Sequence, residues 1–320
     1  MRALLPDEGV LYVKLVSFSV GADLRLGVLV ENELILDIPT AFQVYEDEAA
    51  GVKPPSDMIS FLSSGEECLE AARRVVESVR VDLRMGKVGA KGLLYSLNDV
   101  KLKAPIPRPS KIVCLGLNYS DHAEEAGLTP PENPILFSKP PTAVIGHDEP
   151  VIYPKISRKV DYEVELAVII GRKGREIPEE EAYDYVAGYT VFNDVSARDI
   201  QFRDGQWFRG KSFDTFAPMG PYLTLKDEIP DPHRLKMQMR VNGEVRQNSS
   251  TANMIFKVPY LVSFVSDVMT LEPGDVIATG TPAGVGFYAK PKPKLLKPGD
   301  VMEAYIEKIG TLRNRVEGPK

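Results

Sequence analysis

The stretch KVDYEVELAVIIG, from Lys159 to Gly171, constrains the fold more than any other part of the chain. Val164, Leu166, Val168 and Ile170 recur at every second position, the period of a β-strand. Asp161, Glu163 and Glu165 take positions between them. Glu163 and Glu165 therefore share a face, roughly 7 Å apart along the strand at its rise per residue. Two carboxylates side by side repel unless something positive lies between them. The plain alternative is the solvated face of a half-exposed antiparallel strand.

The rest of the chain is also strand-rich. KIVCLG, ILFSKPPTAVIG, EPVIYP, AGYTVFNDVSARD and VMEAYIEKIGTLRNRV read as strands, and LKMQMRVNGEVRQ reads as a hairpin turning at Asn242-Gly243. Helical spacing marks EECLEAARRVVESVRVDL, and KVPYLVSFVSDVMTLEPGD reads as an amphipathic helix stopping at Pro273-Gly274. Before these, LYVKLVSF reads as a strand and RLGVLVENELILDI as a hairpin around Glu31-Asn32. LKAPIPRPSK, with Pro105, Pro107 and Pro109, reads as an extended linker. This divides the chain into a small N-terminal α+β domain, 1–105, and a larger domain, 106–320. Strands outnumber helices without alternating with them, so a mixed β (α+β) architecture is expected over a doubly wound α/β sheet.

Composition narrows the function. The net charge is -6 with no long basic run, which argues against nucleic acid as a partner. The two cysteines, Cys68 and Cys114, form no CxxC pair, so neither a zinc knuckle nor a disulfide framework is expected, and a reducing cytoplasm suits them. MRALLPDEGVLYVKLVSF lacks the order of a signal peptide, and no apolar run approaches the ~20 residues of a membrane helix.

Five segments could carry chemistry. Beside the paired glutamates, TVFNDVSARDIQ ends an apolar strand at Asp194, with Arg198 and Gln201 following; alone, Asp194 reads as a turn or cap residue. Three carboxylates from two strands also suit a hard divalent ion, which takes oxygen ligands and keeps open positions. GLNYSDHAEEAG sets His122 and Glu125 at i and i+3, either an incidental surface pair or a base with its orienting carboxylate. Its flanking Gly116 and Gly127 suit a lid. FRGKSFDTFAPMGP offers Lys211, either a surface lysine or a cation for a substrate anion. TGTPAGVG lets backbone approach a ligand closely but matches neither nucleotide motif. His147 and His233 read as structural or surface residues.

GLNYSDHAEEAG, DYEVELAVIIG, FNDVSARDIQ, GKSFDTFAPMGP and ATGTPAGVG, in this order, resemble the fumarylacetoacetate hydrolase family, in particular its acylpyruvase and 2-hydroxyhepta-2,4-diene-1,7-dioate isomerase-like members. The resemblance implies a mixed β-sandwich roll, a homodimer, and Mg2+ or Mn2+ held by Glu163, Glu165 and Asp194. It implies His122 and Glu125 as the water-activating dyad and Lys211 as a catalytic cation. It places Arg198, Gln201 and Thr281 at the substrate. Some members carry a fourth acidic ligand near Asn118; here three carboxylates are expected. The implied substrate is a small 2-oxo or 2,4-dioxo acid, as in aromatic catabolism, handled through an enolate. The reaction is C–C hydrolysis, decarboxylation or isomerisation. A 2-keto-3-deoxy sugar acid dehydratase and a non-catalytic oxo-acid binder remain as alternatives.

Overall fold

The structure is a computed structural model describing residues 13–31, 33–87 and 91–319. The start of LYVKLVSF, the leading segment before it and Asn32 of the expected turn lie outside the described residues. Strands Asp23–Glu31 and Leu34–Asp37 do pair antiparallel, with Gly27 opposite Asp37.

One large sheet runs from Leu94–Ser96 through Leu34–Asp37, Asp23–Glu31 and Lys14–Val20 into Ala217–Leu225. It continues through Val186–Asn193, Val164–Ile170, Val276–Ala278, Ile112–Gly116 and Ile135–Lys139. Lys14 pairs with Thr224 and Leu15 with Leu223, so the first hundred residues and the rest share one hydrogen-bonded sheet. A second sheet is ordered Glu244–Ser250, Lys236–Val241, Val301–Ile306, Gly310–Glu317 and Val151–Ile152. Its first hairpin turns where expected: Asn242 and Gly243 have φ of 53° and 79°, the positive pair that a tight hairpin needs.

Alternation along the central strand explains the layering. Leu166, Val168 and Ile170 belong to a core shared with Met237, Met239, Ala304 and Ile306 of the second sheet and with Val262. Ala167 and Ile169 belong to another, shared with Leu36, Phe42, Val75 and Val79 of the N-terminal segment. The last two lie on helix Gly65–Arg84, which formed where helical spacing was read. The result is the mixed α+β, sandwich-like arrangement expected.

Two readings need correction. KVDYEVELAVIIG is not one half-exposed strand. Val160–Asp161 pairs separately with Ser196–Ala197, and Val164–Ile170 is buried along its whole length, between two cores. The helix expected to reach Pro273-Gly274 spans only Val258–Val268. Leu271 instead exchanges backbone hydrogen bonds with Gly174, and that tertiary pairing overrides helical continuation.

Candidate active site

The break in the opening stretch creates the site. Asn193 Oδ1 accepts the Glu163 N–H at 3.0 Å, while the Asp194 N–H donates to the Glu163 carbonyl at 2.9 Å. The two strands thus end side by side with Glu163 next to Asp194. Glu165 stands one turn of the pleat further in, its Oε2 accepting the Gly280 N–H at 3.0 Å. Gly280 has φ +92°, and a Cβ there would lie 3.0 Å from Asn118 Cβ, so only glycine presents this donor without strain. Glu163, Glu165 and Asp194 each bring one carboxylate oxygen within 4.8 Å of the others, and all three are buried.

Part of the opening question is answered by side chains. Lys211 Nζ donates to Glu163 Oε2 at 2.9 Å and to Asp194 Oδ2 at 2.6 Å. Arg198 Nη1 lies 2.6 Å from Glu163 Oε1. Lys139 Nζ lies 2.7 Å from Asp194 Oδ1. Burial alone would raise the Glu163 carboxyl, but Lys211 and then Arg198 outweigh it and pull it down to about 2. Glu165 makes no ion pair among the described residues, and the charge of Lys211 offsets its burial only in part. Burial, then the charges of Asp194 and Glu163, push its carboxyl well above the usual range.

Charge and geometry both fit an added cation. Four buried carboxylates, with Asp161, face three buried cations, Lys139, Arg198 and Lys211. Glu165 Oε1 is buried with no hydrogen-bond partner. An all-oxygen donor set with an orphaned carboxylate oxygen suits Mg2+ or Mn2+. Asn118 supplies no fourth acid. Its amide is spent on backbone, donating to the Thr279 and Phe256 carbonyls and accepting the Phe256 N–H.

A cavity of about 80 Å³ reaches this cluster at Glu163, Arg198 and Lys211. Of the residues read from sequence, Glu163, His122, Arg198, Gln201, Lys211 and Thr281 line it. Helix Ser120–Ala126 carries His122 and Glu125, and Gly127 closes it in the left-handed conformation at φ 67°. His122 Nδ1 lies 3.2 Å from Glu125 Oε2, and Glu125 Oε1 accepts the Gly284 N–H at 2.9 Å. With a proton on Nδ1, Nε2 is left as a base. Thr281 is committed elsewhere: its hydroxyl donates to the Val164 carbonyl and accepts from Gln247 Nε2. It walls the cavity while its own proton stays in the fold. His147 and His233 accept the Arg313 and Val258 N–H groups, and neither lines the cavity.

Three residues have roles that the sequence did not disclose. Asp161 collects four donors, the Tyr162, Gly286 and Phe287 N–H groups and Arg198 Nε, and so aims the guanidinium. Lys139 donates to the Val195, Lys211 and Phe216 carbonyls. Its signal was a lysine closing the strand Ile135–Lys139, at 2% exposure. Trp207 forms a wall of the cavity against Gly116 and sets its ring edge-on to Phe137 at 5.5 Å.

The family described as fumarylacetoacetate (FAA) hydrolase C-terminal matches residues 111–317. The chain belongs to this family. Among relatives of this fumarylacetoacetate hydrolase family chain, the oxaloacetate tautomerase YisK of Bacillus subtilis (strain 168) is 45% identical over 296 residues, 91% of this chain and 95% of that one. The mitochondrial oxaloacetate tautomerase Fahd2a of Rattus norvegicus is 46% identical over 263 residues, 82% and 80% of the two chains. A maleylpyruvate hydrolase from Sphingobium sp. SYK-6, solved with manganese(II) ion and pyruvate, superposes with a TM-score of 0.73 at 31% identity, covering 96% of this chain and 100% of that one. The chain is a family enzyme whose buried acidic triad fits a divalent metal site.

Proposed function

We propose that this enzyme interconverts the keto and enol forms of oxaloacetate, with Mg2+ or Mn2+ held by Glu163, Glu165 and Asp194. The observation that carries the reading is His122, paired with Glu125, lining the same small cavity as Glu163 of the buried triad. The choice of oxaloacetate rests on the two tautomerases, which match most of this chain at 45% and 46% identity. A cavity of about 80 Å³ favours a short acid over a long-tailed one.

A divalent ion there would supply Lewis-acid charge for a 2-oxo carboxylate. The residues supply the rest. Arg198 keeps Nη2 buried and without a hydrogen-bond partner, so it can take the substrate's carboxylate. Gln201 Oε1 accepts from Arg198 Nη1 at 3.1 Å and holds the guanidinium from the side opposite Asp161. His122 Nε2 removes a proton from C3 of the keto acid, leaving an enolate. Lys211 adds positive charge beside it. The imidazolium, held by Glu125, returns the proton to the C2 oxygen and releases the enol. The reverse path uses the same groups.

A second reading, C–C hydrolysis, has support from the maleylpyruvate hydrolase likeness. The same dyad would then activate a water. One experiment separates them: the ultraviolet decay of freshly dissolved enol oxaloacetate is followed with and without Mn2+, and pyruvate release is followed in parallel. Metal-dependent acceleration, lost by about a hundredfold or more in His122→Ala, is expected. No acceleration, with pyruvate released instead or an acylpyruvate cleaved, would replace tautomerase by decarboxylase or hydrolase.

A further inference from the structure

The metal-site reading leaves Lys139 without a part. It closes a strand three sheet positions from the one that carries Glu165, is 2% exposed, and does not line the cavity. Its ammonium has three hydrogens, and three carbonyls take them: Val195 just after Asp194, Lys211 itself, and Phe216 just before Ala217–Leu225. Nothing is left over for a hydrogen bond to Asp194, yet Nζ sits 2.7 Å from Asp194 Oδ1. The contact is a close ion pair, made by a cation pinned on three sides.

Lys211 differs in kind. Its Nζ bonds the carboxylates themselves, Glu163 Oε2 and Asp194 Oδ2. An arriving ion can displace it from either. The same ion cannot displace Lys139 without breaking three buried hydrogen bonds. Asp194 Oδ1 therefore stays covered while Oδ2 can be freed.

We propose that Lys139 is a positioning residue that confines Asp194 to one ligating oxygen, and so sets this site against Ca2+. The inference rests on the triad being a metal site. Ca2+ takes 6–8 oxygens and commonly uses both oxygens of one carboxylate, whereas Mg2+ and Mn2+ accept six single contacts. Arg198 acts in the same sense on Glu163 Oε1, at 2.6 Å. Three single oxygens would leave the rest of such an ion's coordination to the oxo acid and water.

The test measures ion affinity, independent of turnover. Free Mn2+ is read by electron paramagnetic resonance during titration, and Ca2+ by competition. The unmodified protein should favour Mn2+ by about tenfold or more. Lys139→Gln, which keeps two donors and loses the charge, and Lys139→Met should both shift the Mn2+/Ca2+ ratio about tenfold toward Ca2+. Loss of a nearby positive charge strengthens both ions alike, so it cancels in the ratio. An unchanged ratio, or parity in the unmodified protein, overturns the role given to Lys139 and leaves the metal site standing. No Mn2+ binding at all overturns the metal site, and the inference falls with it. Should neither variant fold, a crystal of the unmodified protein in Ca2+ decides. Ligation through Oδ2 alone supports the proposal, and ligation through both Asp194 oxygens overturns it.

Discussion

Trp207 is the chain's one tryptophan, and it stands over Gly116 at the mouth of the cavity. A methyl group added at Gly116 would lie 2.2 Å from Trp207 Cζ3 and 2.6 Å from Cη2. Ordinary contact begins at 3.4 Å, so from 2.2 Å the ring must retreat by about 1.2 Å. Gly116 is the last residue of strand Ile112–Gly116 and has an ordinary negative-φ backbone, so alanine adopts it freely. The exchange gains about 0.5–1 kcal/mol of backbone entropy. Moving the ring off Phe137 loses about 0.5–1.5 kcal/mol of aromatic contact. These nearly cancel, so Gly116→Ala should melt within a few degrees of the parent. Function should not cancel. A misplacement of about 1 Å at a cavity wall can lower turnover by up to about a hundredfold. Emission from Trp207 reports the movement directly: acrylamide should quench it more strongly, and kcat/KM should fall about tenfold or more. Unchanged quenching with parental kinetics would show that Trp207 does not wall the substrate's space.

Two further outcomes follow from buried charge. In Asp161→Asn one oxygen replaces two, so two of four donors, now at 2.8–3.0 Å from a carboxylate, face an amide NH2. At about 1–3 kcal/mol for each stranded donor, urea denaturation should show a loss of about 3–5 kcal/mol. KM should rise more than kcat falls as Arg198 loses its aim; a parental urea midpoint refutes the account. Lys14 is 5% exposed, and burial lowers its pKa from 10.5 to about 8. Between about pH 8 and 10.5 the unfolded chain binds more protons than the folded one, so this lysine's penalty is full below pH 8 and fades as pH rises. Lys14→Met should therefore add at most roughly 3 kcal/mol at pH 7 and nothing by about pH 10.5. Equal gains at both pH values, read from urea midpoints, would contradict the burial origin.

Local rules made much of this legible. Asn242-Gly243 has few options but a tight turn, and the alternating Val164–Ile170 run has few options but a strand. Carboxylates too close together in such a strand announce a cation, whichever supplies it. What sequence hid depends on long-range closure. Lys139 and Asp194 are 55 positions apart in the chain, and only their convergence beside Val195 and Phe216 makes the lysine a member of the site. Asp161 was visible as an acid, but its four donors come from three separate segments. The end of helix Val258–Val268 was misread for the same reason: Gly174, which claims Leu271, is invisible to helical periodicity.

The continuous sheet has an electrical meaning. Glu165 projects from the same face of its strand as Ala167 and Ile169, which belong to one hydrophobic core with Leu36, Phe42 and Val75. Cys114 belongs to that packing too. Burial, then Asp194 and Glu165, push its thiol well up, which places it within reach of the ligands' fields. The described N-terminal residues of this core thus serve as insulation behind the carboxylates. They keep water from the rear of the cluster, so the charges there act on one another and on an acid in front with little loss to solvent. A loosened contact around Phe42 would touch nothing catalytic, yet it would let water in and weaken every charge in the site at once.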